Sequence, residues 1–208
     1  TDLSSSFYHV ATPVLTSYVY REAELTNNSG QDFLAGPITV YLDGRFVGRS
    51  EIPTVARGEV FVVGFGADPQ LRTRRELAKK DESTQGGNRE LSIEYRLVVE
   101  NFKDEPMAVR LFDRLPHSER RNDIEVSLGE MSDKLIEDKL YLRRERPKGI
   151  LRWEIEVPAN SGGEKARIVD YGYNVEFDRS FQLTTLDVRD SVRQQREYEE
   201  LQKQRLKF

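Results

Sequence analysis

The chain has 208 residues, a formal net charge of −4 and no cysteine. The absence of cysteine excludes disulfides, thiolate catalysis and cysteine-bound zinc or iron–sulfur centres. The charge balance argues against a nucleic-acid-binding protein with a broad basic face, and no apolar run reaches the ~20 residues of a membrane-spanning helix.

The first third of the chain alternates apolar and polar residues with a period of two, which predicts β-strands. Strands are expected over 14–25, 38–42 and 60–65. Asp43-Gly44 separates two β-rich runs and predicts a tight hairpin, because both central residues of such a turn need positive φ. Because the chain begins at Thr1, we expect a mature or excised piece of a longer protein.

The middle of the chain continues the β pattern. Strands are predicted over 71–79, 91–100, 107–112, 124–128 and 168–177, and a hairpin over 140–157. Residues 80–89 contain Gly86-Gly87 and no apolar residue, which favours an exposed hairpin tip or a linker.

Two halves of the chain share an order of features. YREAELTNNSGQDFLAGPITVYLD and YRLVVENFKDEPMAVRLFD each read as strand, Asn, polar turn, strand and Asp. A Pro, a Gly-Glu pair and an apolar strand follow later in both halves. If this similarity is real, it indicates two related units.

The tail from Asp187 to Phe208 has no Gly or Pro and consists mainly of good helix formers. Arg193–Glu197 and Arg196–Glu200 are opposite charges four residues apart, a spacing that supports a helix. Two interpretations stay open: a solvated terminal helix, or a coiled-coil fragment that pairs through Tyr198 and Leu201.

These elements predict an all-β protein of two β-sandwich-like, immunoglobulin-like units with a C-terminal α-helix. The first unit is assigned to residues 1–79, the second to 80–183 and the helix to 184–208.

No motif for catalysis, a cofactor or a metal is assigned. His9 and His117 are scattered, and neither a Walker loop nor a dinucleotide fingerprint occurs. The alternating acids Glu22/Glu24 and Glu154/Glu156 could face one side of a strand, as a glycosidase pair must, but such residues usually form the solvated face.

Asp113 ends a predicted strand just before Arg114-Leu115-Pro116. It is expected either to cap the following turn or to pair with an arginine of the segment 72–75, with Arg75 as the candidate. Either role is structural, because acid–arginine pairs near strand ends often fix loops.

The same segments carry a family resemblance. From Tyr8 to Phe177 the order of motifs resembles the C-terminal domain of mucoidy-inhibitor-A-like proteins, a bacterial family of unassigned function. The resemblance implies an upstream β domain and coiled coil, and an exported, periplasmic or cell-envelope location. It supplies no catalytic residues.

The sequence therefore predicts a noncatalytic structural or protein-interaction module that binds a protein partner or self-associates. The alternative is a carbohydrate-binding module or weak glycan-active enzyme, in which Tyr171 and Tyr173 stack on sugar rings.

The coiled-coil interpretation predicts that Tyr198→Ala/Leu201→Ala lowers the assembly state, because the substitutions remove apolar contacts between helices. Light scattering should show a smaller particle than wild type, whereas Gln202→Ala should leave the mass unchanged. An unchanged mass for the double variant would contradict the interpretation.

Overall fold

A computed structural model describes residues 2–85, 87–116 and 124–178, which are mostly β. The strands are β1 Ser4–Ala11, β2 Tyr18–Thr26, β3 Gly36–Leu42, β4 Arg45–Ile52, β5 Val60–Gln85, β6 Asn88–Asn101, β7 Met107–Arg114, β8 Ile124–Met131, β9 Ile150–Val157 and β10 Arg167–Asp178. One short helix, α1, covers Lys139–Arg144, and single 3₁₀ turns cover Arg146–Lys148 and Gly163–Lys165. No helix in the described ranges has the length and apolar character needed to cross a membrane.

Eight strands form one sheet in the order β8-β10-β6-β5-β2-β1-β7-β9, and β3 and β4 form a separate two-stranded sheet. The prediction of two sandwich-like units is therefore wrong. The reason lies in β5, whose 26 residues exceed the usual 3–10. The sequence analysis divided this segment into strands over 60–65 and 71–79, but the chain continues through Gly66 and Pro69 without leaving the sheet. The predicted helix over 184–208 lies outside the described residues.

Residue contacts divide the described chain into two compact units. The first contains residues 2–10 and 19–68, and its core is built around Val40, Val55, Phe61 and Val63. The second contains residues 11–18 and the described residues from 69 onwards. Its largest fully buried side chains are Trp153, Tyr141, Tyr171, Phe112, Leu71, Leu97, Leu111, Leu151, Val98 and Val99. The boundary predicted at residue 79 falls within β5.

The Asp-Gly hairpin prediction is confirmed in the first unit. Leu42 pairs with Arg45 across the turn, and Asp43 and Gly44 have φ values of 49° and 75°. Strands β3 and β4 are antiparallel from Gly36↔Ile52 onwards.

In the second unit, β6 lies between β5 and β10. It pairs with β10 along its length, from Arg167↔Val99 to Asp178↔Asn88, and with β5 as far as Gln85↔Asn88. Residues 80–89, predicted to be a tip or linker, therefore belong mostly to the two strands. Alternate positions of β10 are buried, which places Tyr171 and Tyr173 on the inner face of the sheet.

The strand predicted over 140–146 is wrong, because Lys139–Arg144 forms α1. Asp138 caps the helix by accepting a hydrogen bond from the Tyr141 N–H at 2.9 Å. Leu140, Tyr141 and Leu142 form a short apolar run that resembled a strand, but in the helix only Tyr141 is buried. Its hydroxyl donates to the Ile150 carbonyl at 3.0 Å.

A local hydrogen-bonding arrangement occurs once in each unit. The side-chain amide of Asn27 donates to the carbonyls of Gln31, Val55 and Ala56 at 2.9, 3.2 and 3.2 Å. That of Asn101 donates to the carbonyls of Glu105, Val157 and Pro158 at 2.8, 3.3 and 3.0 Å.

The two arrangements agree in detail. Each asparagine is fully buried, bonds the carbonyl four residues ahead, and accepts a backbone N–H two residues ahead. Both lie where the sequence similarity between the two halves placed an Asn. Each buried side-chain amide links the turn that follows the asparagine to the segment just before the last strand of the same unit.

Asn27→Ala and Asn101→Ala are each expected to lower the free energy of unfolding by about 2–4 kcal/mol, because several buried carbonyls lose their donor. Chemical denaturation measures the loss. Two exposed asparagines, one in each unit, offer controls of the same residue type: Asn28→Ala and Asn88→Ala should cost about 0.5 kcal/mol or less. Equal costs for buried and exposed positions would contradict the bridging role.

Candidate functional site

A buried polar cluster in the second unit surrounds Asp113 near the end of β7. Arg75 Nε lies 3.0 Å from Asp113 Oδ2. The Tyr171 hydroxyl donates to the same oxygen at 2.8 Å and accepts from Arg75 Nη2 at 3.0 Å. These three residues, here called the Asp113 cluster, close a triangle of contacts between β5, β7 and β10.

Strand geometry brings the three side chains together. The period of two places Thr73 and Arg75 of β5 on the inner face with Tyr171 of β10. Strand β7 contributes three successive buried residues, ending in Asp113, whose carboxylate has no exposed surface. The Arg114 backbone N–H donates to Asp113 Oδ1 at 2.7 Å, so both carboxylate oxygens have partners.

Aromatic rings surround the cluster. The Arg75 guanidinium carbon lies 3.5 Å from the centroid of the Tyr95 ring, a close cation–π contact. Tyr173 stacks with Tyr95 at a centroid distance of 6.2 Å, and Trp153 lies 5.6 Å from Tyr171. The rings exclude water and lower the local polarity, which strengthens the electrostatic interactions inside.

Burial controls the protonation of these groups. It raises the pKa of Asp113, and Arg75, the Arg114 N–H and the Tyr171 hydroxyl only partly offset this effect. Burial also raises the pKa of Tyr171 and of Tyr173 far above the normal phenol range. Burial disfavours the charge of Arg75, but the neighbouring Asp113, Tyr171 and Tyr95 outweigh it and raise the pKa of that guanidinium.

The contact between Arg75 and Asp113 is mainly electrostatic. Arg75 Nε is buried, and despite its 3.0 Å distance from Asp113 Oδ2 its N–H makes no hydrogen bond of acceptable direction. The directed hydrogen bonds run through the Tyr171 hydroxyl instead. Tyr171 therefore orients the two charged groups as well as contacting them.

The polar groups of the Asp113 cluster interact with one another inside the protein. Each of the three side chains contacts the other two, and the Asp113 carboxylate has no access to solvent. A general acid or base must reach a substrate proton within hydrogen-bonding distance. Elsewhere in the described ranges, no group of three or more His, Asp or Glu is arranged to hold a metal ion.

The structure brings together Asp113 and Arg75, the two residues that the sequence analysis paired. Asp113 also accepts the N–H of Arg114, the last residue of β7, so this hydrogen bond is local to the end of the strand. The sequence analysis missed the role of the Tyr171 hydroxyl, although the spacing of Val169, Tyr171 and Val175 indicates a common buried face. His117, Tyr198 and Leu201 lie outside the described residues.

A second buried charge cluster lies in the first unit. His9 Nε2 is 3.0 Å from Asp68 Oδ2, and Arg21 Nη2 donates to the same oxygen at 2.7 Å. Asp68 is 1% exposed. Nothing in the sequence pattern around His9 predicted this partnership, because Asp68 is 59 residues away.

The features behind the glycan alternative do not form a binding site. Tyr171 and Tyr173 are buried and pack against other rings, so neither is presented to a sugar. Glu154 lies 2.8 Å from Arg152 and 3.7 Å from Arg110 across the strand pair. Its carboxylate neutralises neighbouring arginines on the sheet surface.

The fold and the cluster define a mostly β domain whose buried polar groups support its own structure. Residues 6–179 match the domain of unknown function DUF4139, and the chain belongs to this family. It is also similar to Protein F37C4.5 of Caenorhabditis elegans, at 23% identity over 119 residues. That match covers 56% of this chain and 21% of the nematode protein, and no solved structure matches the chain.

Arg75→Met is expected to lower the free energy of unfolding by about 3–5 kcal/mol near neutral pH, because it leaves the Asp113 charge buried without a counterion. The variant raises the folded-state pKa of Asp113 further above its unfolded value. A carboxyl group whose pKa is higher in the folded than in the unfolded state contributes stability at pH values below its unfolded pKa. This contribution is lost as the pH rises towards the folded-state pKa. The loss in free energy of unfolding of the Arg75→Met variant relative to wild type should therefore be smaller near pH 4.5 than near pH 7.5.

Denaturant unfolding at the two pH values measures this difference. Arg96→Met is a matched control, because Arg96 pairs with Asp170 on the exposed face. Its effect on the free energy of unfolding should be small and the same at both pH values, because solvent screens this exposed pair. A pH-independent deficit for Arg75→Met would rule out the proposed role of Asp113 protonation.

Proposed function

We propose that the chain is a noncatalytic structural and protein-interaction module. The observation that carries this proposal is the closure of the Asp113 cluster: its acid, guanidinium and phenol bond to one another instead of facing a cavity. Such an arrangement holds strands together and leaves the surface for recognition.

The β3–β4 hairpin supplies one such surface. Tyr41 and Phe46 form an edge-to-face pair with centroids 6.0 Å apart, yet remain 58% and 60% exposed. Aromatic side chains are enriched at protein interfaces because they bury a large area at a small conformational-entropy cost. A hairpin that presents two exposed rings fits contact with another protein.

The resemblance to mucoidy-inhibitor-A-like proteins supports a narrower version of the proposal. It supports, as part of this proposal, an exported, periplasmic or cell-envelope location next to further β and coiled-coil segments. A nematode protein is also similar to part of the chain. The exported, periplasmic or cell-envelope location is therefore proposed for the present chain only and not for every relative.

Crosslinking in extracts of the source organism, followed by mass spectrometry, tests the interaction role. The wild-type chain should capture a reproducible protein set that Tyr41→Ser/Phe46→Ser reduces by about tenfold, since the loss of two interface aromatics costs a few kcal/mol. Leu34→Ser, at another exposed apolar position, is the matched control and should leave capture intact.

Capture that is identical for the double variant and wild type would refute the role of the hairpin. Substrate turnover by the purified chain that is lost in Asp113→Asn, with the variant still folded, would refute the noncatalytic role.

A further inference from the structure

The short helix α1 presents apolar and basic side chains to solvent together. Leu140 and Leu142 are 44% and 48% exposed, although leucines in a folded domain usually gain by burial. Lys139, Arg143 and Lys148 are exposed in the same segment. The two leucines and three basic residues are here called the α1 patch.

The helix is held firmly in one orientation. The Asp138 side chain caps its first turn, and the Tyr141 hydroxyl bonds to the Ile150 carbonyl on β9. Tyr141 is only 1% exposed, so it fixes which side of α1 faces the protein.

Helical geometry then determines the outer face. Successive residues turn by about 100°, so Lys139 and Arg143 point almost directly away from the side of Tyr141. Leu140 and Leu142 flank them on either side. The outer face of α1 is therefore two cations bordered by two leucines.

The charge of this segment is opposite to that of the chain. Residues 139–148 contain five basic residues and one acid, a net charge of +4, whereas the whole chain carries −4. The acid, Glu145, is 5% exposed and contributes little to the surface. Two exposed acids, Glu137 and Asp138, precede the segment and lower the net charge of residues 137–148 to +2. The charge complementarity favours an anionic partner.

We propose that the α1 patch binds the surface of an anionic lipid bilayer. Leucines at the level of the headgroups bury apolar area, while lysine and arginine side chains extend to the lipid phosphates. A nucleic acid would use the cations but would leave both leucines exposed, which makes the bilayer the better match. Two leucines and three cations make this a weak, peripheral association that complements the protein contacts proposed above.

Vesicle flotation with the full 208-residue chain tests the proposal. Vesicles of phosphatidylcholine with about 30% phosphatidylglycerol should retain the protein, and pure phosphatidylcholine should not. Binding should weaken by about tenfold or more in Leu140→Ser/Leu142→Ser, through lost insertion, and in Lys139→Glu/Arg143→Glu, through lost attraction.

Two controls match these variants. Leu77→Ser removes another exposed leucine of the second unit, and Lys80→Glu reverses another exposed cation. Both should bind as wild type does, and circular dichroism melting should show that every variant is folded.

Three outcomes would overturn the proposal: no retention on anionic vesicles, equal retention of the leucine variant and wild type, or binding to RNA or duplex DNA of the same charge density without vesicle binding. None of them bears on the hairpin, so this result and the crosslinking result can be distinguished.

Discussion

The fold of the second unit depends on the burial of one carboxyl group. Asp113 has no exposed side-chain surface, and moving a carboxylate out of water costs several kcal/mol unless partners compensate. Its partners come from two other strands, Arg75 on β5 and Tyr171 on β10. A slip of one residue in either strand would turn the partner to the opposite face and leave the acid uncompensated. The cluster therefore selects one strand register more strongly than apolar residues alone would.

The buried asparagines solve a related problem in the turns. Where a strand continues into a loop, the backbone carbonyls no longer have a donor on a neighbouring strand. Burying such an unpaired carbonyl lowers the stability of the fold. Asn27 and Asn101 each supply one amide that bridges three such carbonyls. Because the same solution occurs in both units with the same spacing to the carbonyl four residues ahead, the internal similarity of the sequence has a physical counterpart.

Local features were predictable from the sequence, and long-range features were predictable only in part. The Asp43-Gly44 turn is specified by two adjacent residues, and the pairing of Asp113 with Arg75 could be suggested because a buried strand end with an acid needs a cation. The length of β5 could not be predicted, because Gly66 and Pro69 ordinarily interrupt a strand. The helix at 139–144 was missed because Leu-Tyr-Leu is a short apolar run that a strand also fits, and only its tertiary setting shows that Tyr141 alone is buried. The His9–Asp68 contact has no local signal at all.

The charged groups that stabilise the fold lie in different places from the charged groups proposed to bind a partner. On the outer face of the sheet, Arg96 pairs with Asp170 and Arg74 with Glu76, so opposite charges largely cancel at short range. The buried acids Asp68 and Asp113 are compensated by residues of their own units. The α1 patch differs, because its cations outnumber the acids of the same segment and stand beside exposed leucines. An excess of positive charge next to exposed leucines favours binding to an external partner. The paired charges elsewhere contribute to solubility and to the strand register.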